Sequence, residues 1–363
     1  MSRFLEAEIN LTQLAENFKQ IKQYLNEKKA SCKTIAIIKA DAYGHGAIES
    51  AKCYEALGVD YLGVAFFEEA LILRESGIKS KILMLFDREI EGVFKNNLTP
   101  VVFDYKQAKM LSKEAEKRGM ILPIHVKVET GMGRLGIYEN PCNAIKEIAN
   151  LKNLKIEGIM SHLSIAEDKD WTQNQVEKLM KIRDCLRKFG LTPIFHIANS
   201  RGLFYENALF DAVRPGLMLY GYGSVNSQII VKPCMTVKTK ILDIRKLPAG
   251  MPISYGGTFK TKRESLIGVI PVGYADGYLR GLSNKAMVIV KGEKVPVVGT
   301  ICMDLTMIDL TQIKDVEIND DVILMGEKNQ EKITAEDIAT WANTIPYEVL
   351  ICLGSKAKRK YIQ

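Results

Sequence analysis

The sequence predicts an α/β protein, an N-terminal (β/α)8 TIM-type barrel followed by a C-terminal mostly-β domain. Three observations carry this. Short apolar, β-prone runs recur at 35–38, 61–65, 81–86, 100–103, 122–128, 155–161, 193–197 and 211–213, with helical spacing between most of them. Polar residues gather where these runs end, the face on which such barrels carry their chemistry. Past about residue 228 the rhythm changes to short β-branched segments separated by turns, the pattern of a separate β domain. The expected domains are 11–227 and 228–363, with the strand in 1–10 packing against the second.

In chain order, residues 6–10 (EAEIN) alternate like an edge strand, and 11–29 follow with helical spacing through Leu14, Phe18, Ile21 and Leu25. The run at 35–38 does not alternate, so it reads as a strand buried on both faces. Lys39 stands at its end. A lysine there must find a charge partner, reach solvent or lose its proton. Asp41, Tyr43, Gly44, His45 and Gly46 follow within a turn. That sequel suits a desolvated lysine of the kind that bonds pyridoxal phosphate (PLP); a snorkelling strand-end lysine is the alternative. Helices are expected at 68–75, 105–118 and 171–189 as crossovers. In the second domain, strands are expected at 229–244, 265–272, 286–291, 294–298, 301–309 and 321–325, with one clear helix beginning at Thr334, whose spacing to Asp337 suits a capping box.

Hydrophobic residues at 47% and charged residues at 26% describe a globular protein. The net charge of +7 is scattered apart from Lys356, Lys358, Arg359 and Lys360, so no nucleic-acid site is expected. Seven cysteines form no CxxC pair and are odd in number, which predicts reduced thiols and no metal site. Glu6 and Glu8 interrupt any apolar signal core, and no window approaches the roughly 18 apolar residues a membrane helix needs. A cytoplasmic protein with no membrane partner is expected.

The strand ends supply the candidates. Strand 1 delivers Lys39 and Tyr43. Strand 5 ends at Lys127 and leads through Glu129 to Arg134, and strand 6 ends at Ser161 and His162. Strand 7 ends at His196, Asn199 and Ser200, and strand 8 runs into Arg214, Pro215 and Gly216. Taken singly, each has a structural alternative: the histidines as satisfied core residues, the arginines as salt-bridge partners. Five strand ends aiming such groups at one face favour a site. Loops after strands 7 and 8 commonly hold phosphate, for which Ser200 and the N–H groups around Gly216 and Leu217 are donors.

Together the motifs AIIKADAYGHG (36–46), VKVETGMGRLG (126–136), SHLS around His162, HIANS (196–200), VRPGLMLYG (213–221), SYGGTF (254–259), GYADG (273–277) and ICMD (301–304) closely resemble those of alanine racemases, in the family's order and over nearly the whole chain. The resemblance implies a PLP enzyme that interconverts L- and D-alanine, supplying D-alanine for peptidoglycan. It implies Lys39 as the lysine bonded to the cofactor and one of two bases, with Tyr255 as the other, reaching across from the partner subunit of a homodimer. Tyr43, Asn199, Ser200, Gly216 and Leu217 would hold the cofactor, and Arg214 would face the pyridine nitrogen with His162 behind it. Arg134 and the N–H of Met303, beside Asp304, would take the substrate carboxylate, and Tyr274 would shape the entrance. Lys127 occupies the place of a lysine often carbamylated in this family.

Inversion at Cα needs a proton removed on one face and delivered on the other, hence two bases. One departure lies at 354–360, GSKAKRK, where Ser355 replaces a tyrosine that reaches the phosphate in some members. A PLP decarboxylase shares the two-domain plan, but no triple-glycine loop is present and no acidic residue precedes 214–216. A single-barrel PLP carrier would lack everything after Gln228, and a protein that had lost catalysis would be expected to lack Lys39 or Tyr255.

Overall fold

A computed structural model describes residues 4–29, 31–224 and 228–363. Residue 227, at the expected domain boundary, and the first three residues of the expected strand 1–10 lie outside the described residues. The chain divides into two compact units: Ala15–Ala40 with Ala47–Val231, and Met1–Leu14 with Asp41–Gly46 and Lys232–Gln363.

The first unit is a closed barrel of eight parallel strands. They are β2 (Lys33–Ile37), β3 (Tyr61–Val64), β4 (Ile82–Met84), β5 (Thr99–Val102), β6 (Leu122–Lys127), β7 (Leu154–Met160), β8 (Ile194–His196) and β9 (Ala212–Val213). Closure comes from β2 pairing with β9, Lys33 opposite Ala212 and Thr34 opposite Val213. Strands such as YLGV and ILM are buried at every position, as continuous apolar runs covered on both faces must be. The expected crossovers are α4 (Phe67–Glu75), α6 (Tyr105–Lys117) and α8 (Lys169–Arg187). The last two start where an aspartate caps them: Asp104 accepts the Gln107 N–H at 2.7 Å and Asp168 the Trp171 N–H at 2.9 Å.

The barrel interior is not wholly apolar. Tyr61 on β3, His125 on β6 and His196 on β8 make ring contacts, with centroids 5.5 and 5.0 Å apart. None of these strands is a neighbour of another in the barrel, so the contacts cross its lumen.

The second unit has one sheet in the order β16-β15-β18-β10-β1-β20, with β19 (Glu331–Ile333) beside β18. Its members are β1 (Glu6–Asn10), β10 (Met235–Lys240), β15 (Met287–Val290), β16 (Glu293–Pro296), β18 (Asp321–Lys328) and β20 (Lys358–Ile362). A three-stranded sheet, β11 (Asp243–Leu247), β14 (Ser265–Ile270) and β17 (Thr306–Asp309), and a ribbon, β12 (Pro252–Ile253) with β13 (Phe259–Lys260), complete it.

Four expectations are corrected. β1 is an interior strand, paired with β10 on one side and β20 on the other; its alternation reflects one covered face rather than a free edge. The stretch 229–244 is not one strand, since β10 ends at Lys240 and β11 starts at Asp243. There are two helices, not one. After α9 (Ala335–Ala342), whose Thr334–Asp337 capping box forms as expected, α10 (Pro346–Lys356) begins on a proline that suits a first helical position, and its apolar VLICL had masked it. Finally, not all seven thiols are reduced: Cys142 in α7 (Pro141–Ala149) and Cys185 in α8 form a disulfide 43 residues apart in sequence, because these helices pack as neighbours. Cys32, Cys53, Cys234, Cys302 and Cys352 form no disulfide among the described residues. No helix among the described residues is long and apolar enough to cross a membrane.

Candidate active site

Lys39 stands two residues past the end of the barrel's first strand, β2. The chain then winds left-handed through α2 (Lys39–Tyr43): Ala40, Asp41, Ala42 and Tyr43 have φ of 51, 54, 54 and 53°. Such turns cost about 1–2 kcal/mol per residue for L-amino acids, so something must hold this one. Within Asp41–Gly46, Gly46 N–H donates to Asp41 O at 2.9 Å and His45 N–H to Ala42 O at 3.0 Å. The His45 ring points Nδ1 at the carbonyls of Ala42 and Tyr43, both at 3.1 Å, and burial drops its pKa to about 4. Arg359 on β20 donates Nε to Gly44 O at 3.0 Å and pairs with Asp41. Gly44 and Gly46 are required here, because a Cβ on Gly44 would stand 2.4 Å from Leu350 O and one on Gly46 1.9 Å from the Tyr361 hydroxyl. Tyr43 is buried with its ring 5.5 Å from Tyr347, and burial raises its pKa.

In the barrel unit, three cations surround one aromatic ring. Lys39 Nζ lies 5.6 Å, Lys127 Nζ 5.3 Å and Arg134 Cζ 5.4 Å from the centroid of Phe86. Burial, reinforced by Arg134 and opposed by Glu69, lowers the pKa of Lys39. Glu69 itself accepts the Ala40 N–H at 2.6 Å. Lys127 is 1% exposed, and its Nζ has no hydrogen-bond partner among the described residues. Burial, Arg134 and Arg214 bring its pKa down to about 8. Glu129 organises the following loop by accepting N–H groups of Gly131 at 2.6 Å and Arg134 at 3.3 Å, while the Arg134 residue itself is exposed. This loop lines a cleft of about 1000 Å³ with Tyr138, Trp171 and Lys178; Lys39 and Arg214 do not line it.

Arg214 is 3% exposed and densely bonded. Nη1 donates to His196 Nδ1 at 2.6 Å and His196 O at 3.0 Å; Nη2 reaches Ile197 O at 3.1 Å, His162 Nδ1 at 3.2 Å and Ser161 O. Burial and Arg134 lower its pKa to about 9, which still leaves it charged at neutral pH. Both His162 and His196 are held far below the usual histidine range by burial and by Arg214, so both are neutral. Nearby, Ser200 Oγ accepts the N–H groups of Gly216 at 2.9 Å and Met218 at 3.2 Å, where a short 3-10 turn at Leu217–Tyr220 begins. The hydroxyl keeps its own proton to donate. Asn199 caps the turn after it, Oδ1 accepting Gly202 N–H at 2.9 Å.

The second unit gathers three motifs that lie far apart in sequence. Tyr274 and Ala275 donate their N–H groups to Cys302 O and Met303 O at 3.1 and 3.0 Å. Gly273 packs so closely that a Cβ there would stand 2.2 Å from Met303 O. Ser254, at φ 63°, contacts Cys302 Sγ through its hydroxyl at 3.3 Å, and Tyr255 O accepts from Thr300 Oγ1 at 3.0 Å. Tyr255 is 73% exposed, Met303 54% and Tyr274 44%, with Asp304 exposed beside them.

The alanine racemase N-terminal domain model matches residues 9–224 and the C-terminal domain model residues 234–361. The chain belongs to the alanine racemase family. It is 68% identical over 362 residues to an alanine racemase of Thermodesulfovibrio yellowstonii, covering 100% of this chain and 99% of that one. Among solved structures, the alanine racemase of Clostridium difficile 630 superposes with a TM-score of 0.92 at 35% identity, covering 100% of this chain and 96% of that one. The Bartonella henselae alanine racemase, solved with covalently bound pyridoxal phosphate, gives 0.88 at 31%, covering 99% of each. As a member of this family the protein is an amino-acid racemase, an isomerase.

Sequence reasoning did not single out four residues around the alanine racemase candidates. Phe86 read as the last apolar residue of a strand, and Glu69 lay unremarked in the helix expected at 68–75. His125 sits in an apolar strand with no polar neighbour to mark it, although its i+2 spacing to Lys127 places both on one strand face. Arg359 was hidden in a basic tail that is β20. Ser355, the departure noted above, is exposed in α10.

Proposed function

We propose that this protein interconverts L-alanine and D-alanine with pyridoxal 5'-phosphate held on Lys39, using Lys39 and Tyr255 as its two bases. The observation that carries the reading is Lys39, a half-buried strand-end amine with lowered pKa among Arg134, Lys127 and Glu69, in a chain of this family. The residues present fit the cofactor. Ser200 has a proton to give and stands with the Leu217 N–H at the start of a 3-10 turn, a donor set for phosphate, and the family resemblance adds Gly216, Tyr43 and Asn199 to the cofactor's holders. Arg214, with its Nη atoms committed to protein acceptors, retains Nε–H for a ring nitrogen, and His162 buttresses it.

When bound, the cofactor acidifies the Cα–H of the amino acid attached to it. Lys39 holds or gives the proton on the D face and Tyr255 on the L face. Arg134 and the Met303 N–H bind the substrate carboxylate, with Tyr274 and Asp304 at the entrance. Arg214 keeps its own proton and therefore does not transfer it to the ring nitrogen, which limits charge build-up there. Lys127 is carbamylated. A buried amine without a hydrogen-bond partner and with a pKa near 8 is partly neutral, adds to carbon dioxide and releases a proton, and the resulting anion pairs with Arg134.

The active unit is a homodimer in which the barrel of span 11–227 is completed by Tyr255 from the 228–363 span of the other subunit. The exposed Tyr255, Met303 and Tyr274 of the second unit support this. The protein acts in the cytoplasm and supplies D-alanine for peptidoglycan.

Incubation with L-alanine should yield D-alanine, and borohydride should fix the cofactor on Lys39 in peptide mass spectra; an adduct on another lysine overturns the assignment. Lys39→Ala and Tyr255→Ala proteins, each inactive, should regain roughly a quarter of wild-type sites when refolded together, as two-fold symmetry requires. Background activity in heterodimers confirmed by native mass overturns the shared arrangement.

A further inference from the structure

Arg214 ends a hydrogen-bonded line whose direction is dictated by chemistry. A guanidinium donates and never accepts, so the 2.6 Å contact makes His196 Nδ1 an acceptor. The neutral His196 ring must then carry its proton on Nε2, which faces His125 Nδ1 at 2.8 Å. His125 Nδ1 accepts in turn, and its own proton falls on Nε2. His125 is also neutral: burial, with Arg214 and Lys81 adding to it, brings its pKa down to about 3.

The line does not stop there in chemical terms. His125 Nε2 is a buried donor without a partner among the described residues, and Glu157 Oε2 is a buried acceptor in the same condition. A buried polar group left unmatched is destabilising, and these two are complementary. Glu157 acts on His125 electrostatically, and its other oxygen accepts Lys81 Nζ at 2.7 Å. Tyr61, in ring contact with His125, also helps to lower the pKa of the Glu157 carboxyl. The backbone is built around this line. Gly158, opposite His125 in the β6–β7 pairing, has no side chain where a Cβ would stand 2.5 Å from His125 Nδ1.

We infer that Glu157 is a positioning residue for Arg214: it accepts the His125 Nε2 proton, directly or across one water, and so fixes the tautomers of His125 and His196 that let Arg214 donate. This rests on the proposed placement of Arg214 against the cofactor ring. Without an acceptor at Glu157 the His125 proton moves to Nδ1 and His196 takes its proton on Nδ1. Two N–H groups then confront each other where Arg214 Nη1 and His196 Nδ1 now bond. A partly buried carboxylate on β7 thereby controls whether the guanidinium is held or repelled.

The holoprotein labelled with 15N-histidine gives a direct test, since the chain has only four histidines and His45, pointing Nδ1 at two carbonyls, serves as an internal standard for the opposite tautomer. Wild type should show His125 and His196 neutral and protonated on Nε2. Glu157→Leu should switch both to Nδ1–H and lower kcat about tenfold, the worth of roughly one pK unit of interaction. Glu157→Gln, whose amide oxygen still accepts, should restore the wild-type tautomers and most of the rate. Lys81→Met breaks the ion pair but leaves the acceptor, so it should leave the tautomers unchanged; a merely structural carboxylate would predict neither the switch nor its rescue.

Nδ1-protonated His196 in wild type overturns the inference, and this holds even if Glu157→Leu fails to fold. Unchanged tautomers in Glu157→Leu, or a Glu157→Gln protein that behaves like Glu157→Leu, also overturn it. A protein that made no D-alanine would leave the tautomer readout intact, so the two readings fail separately.

Discussion

The two units prepare their candidate residues by different physical means. In the barrel unit Lys127, Arg214, His125 and His196 are at most 3% exposed, and what distinguishes them is an altered proton affinity produced by burial and by one another. In the second unit Tyr255, Tyr274 and Met303 are between 44 and 73% exposed and stand on tight turns, where glycines set the geometry. A substitution in the first unit should therefore act through charge and protonation, and one in the second through backbone placement.

The sharpest test exchanges one residue of each kind. Lys39→Ala should remove racemisation altogether, and Tyr255→Phe should lower it by about 10² to 10⁴-fold, the range of a lost acid–base group. Solvent deuterium exchange from the two alanine enantiomers should be suppressed unequally in Tyr255→Phe; equal suppression would remove the two-base scheme. Next, Gly273→Ala should cost about 100-fold, because the added Cβ meets Met303 O at 2.2 Å and must displace the 301–304 loop. Its pH profile should match wild type. A shifted profile would mean that the second unit, too, works through proton affinity.

Lys127→Met should reduce the rate about tenfold, from the loss of the carbamate proposed to pair with Arg134. Carbamate forms only on the neutral amine, and the pKa lies near 8, so labelled carbon dioxide should be taken up increasingly as pH rises from about 7 to 9. Absence of a carbamate signal in 13C NMR across that window would rule the modification out. The smallest effect on activity is expected at the disulfide. Cys142→Ser should lose about 2–4 kcal/mol of stability in denaturant melts while racemisation stays within about twofold, since the bond staples two helices outside the catalytic cluster.

The barrel was legible because its strands are uninterrupted apolar runs with polar groups at their ends, and Lys39, Lys127, His162 and Arg214 were picked out as candidates from position alone. Contacts that cross the lumen were not. Nothing in LPIHVK links His125 to His196, 71 residues later, or to Glu157 on the neighbouring strand. The same limit explains Phe86, whose role lies in three cations drawn from separate strands and loops. In the second unit the short strands were found but their partners were not: β1 read as an edge because β20 lies at the far end of the chain. Cys142 and Cys185 were missed for the same reason, since helix adjacency is a property of the fold.

The left-handed turn after Lys39 has a consequence for how the protein is made. Its strained residues are secured by Arg359, and β1 by the strand that Arg359 belongs to, in which Lys358 N–H donates to Leu5 O at 3.0 Å. Asp41 and Arg359 are 318 residues apart in sequence, so a ribosome delivers the second long after the first. The barrel strands can therefore assemble as they emerge, but the turn that follows Lys39 cannot be locked until β20 has been made. A chain cut before β20 would carry a formed barrel whose lysine is followed by an unsecured turn.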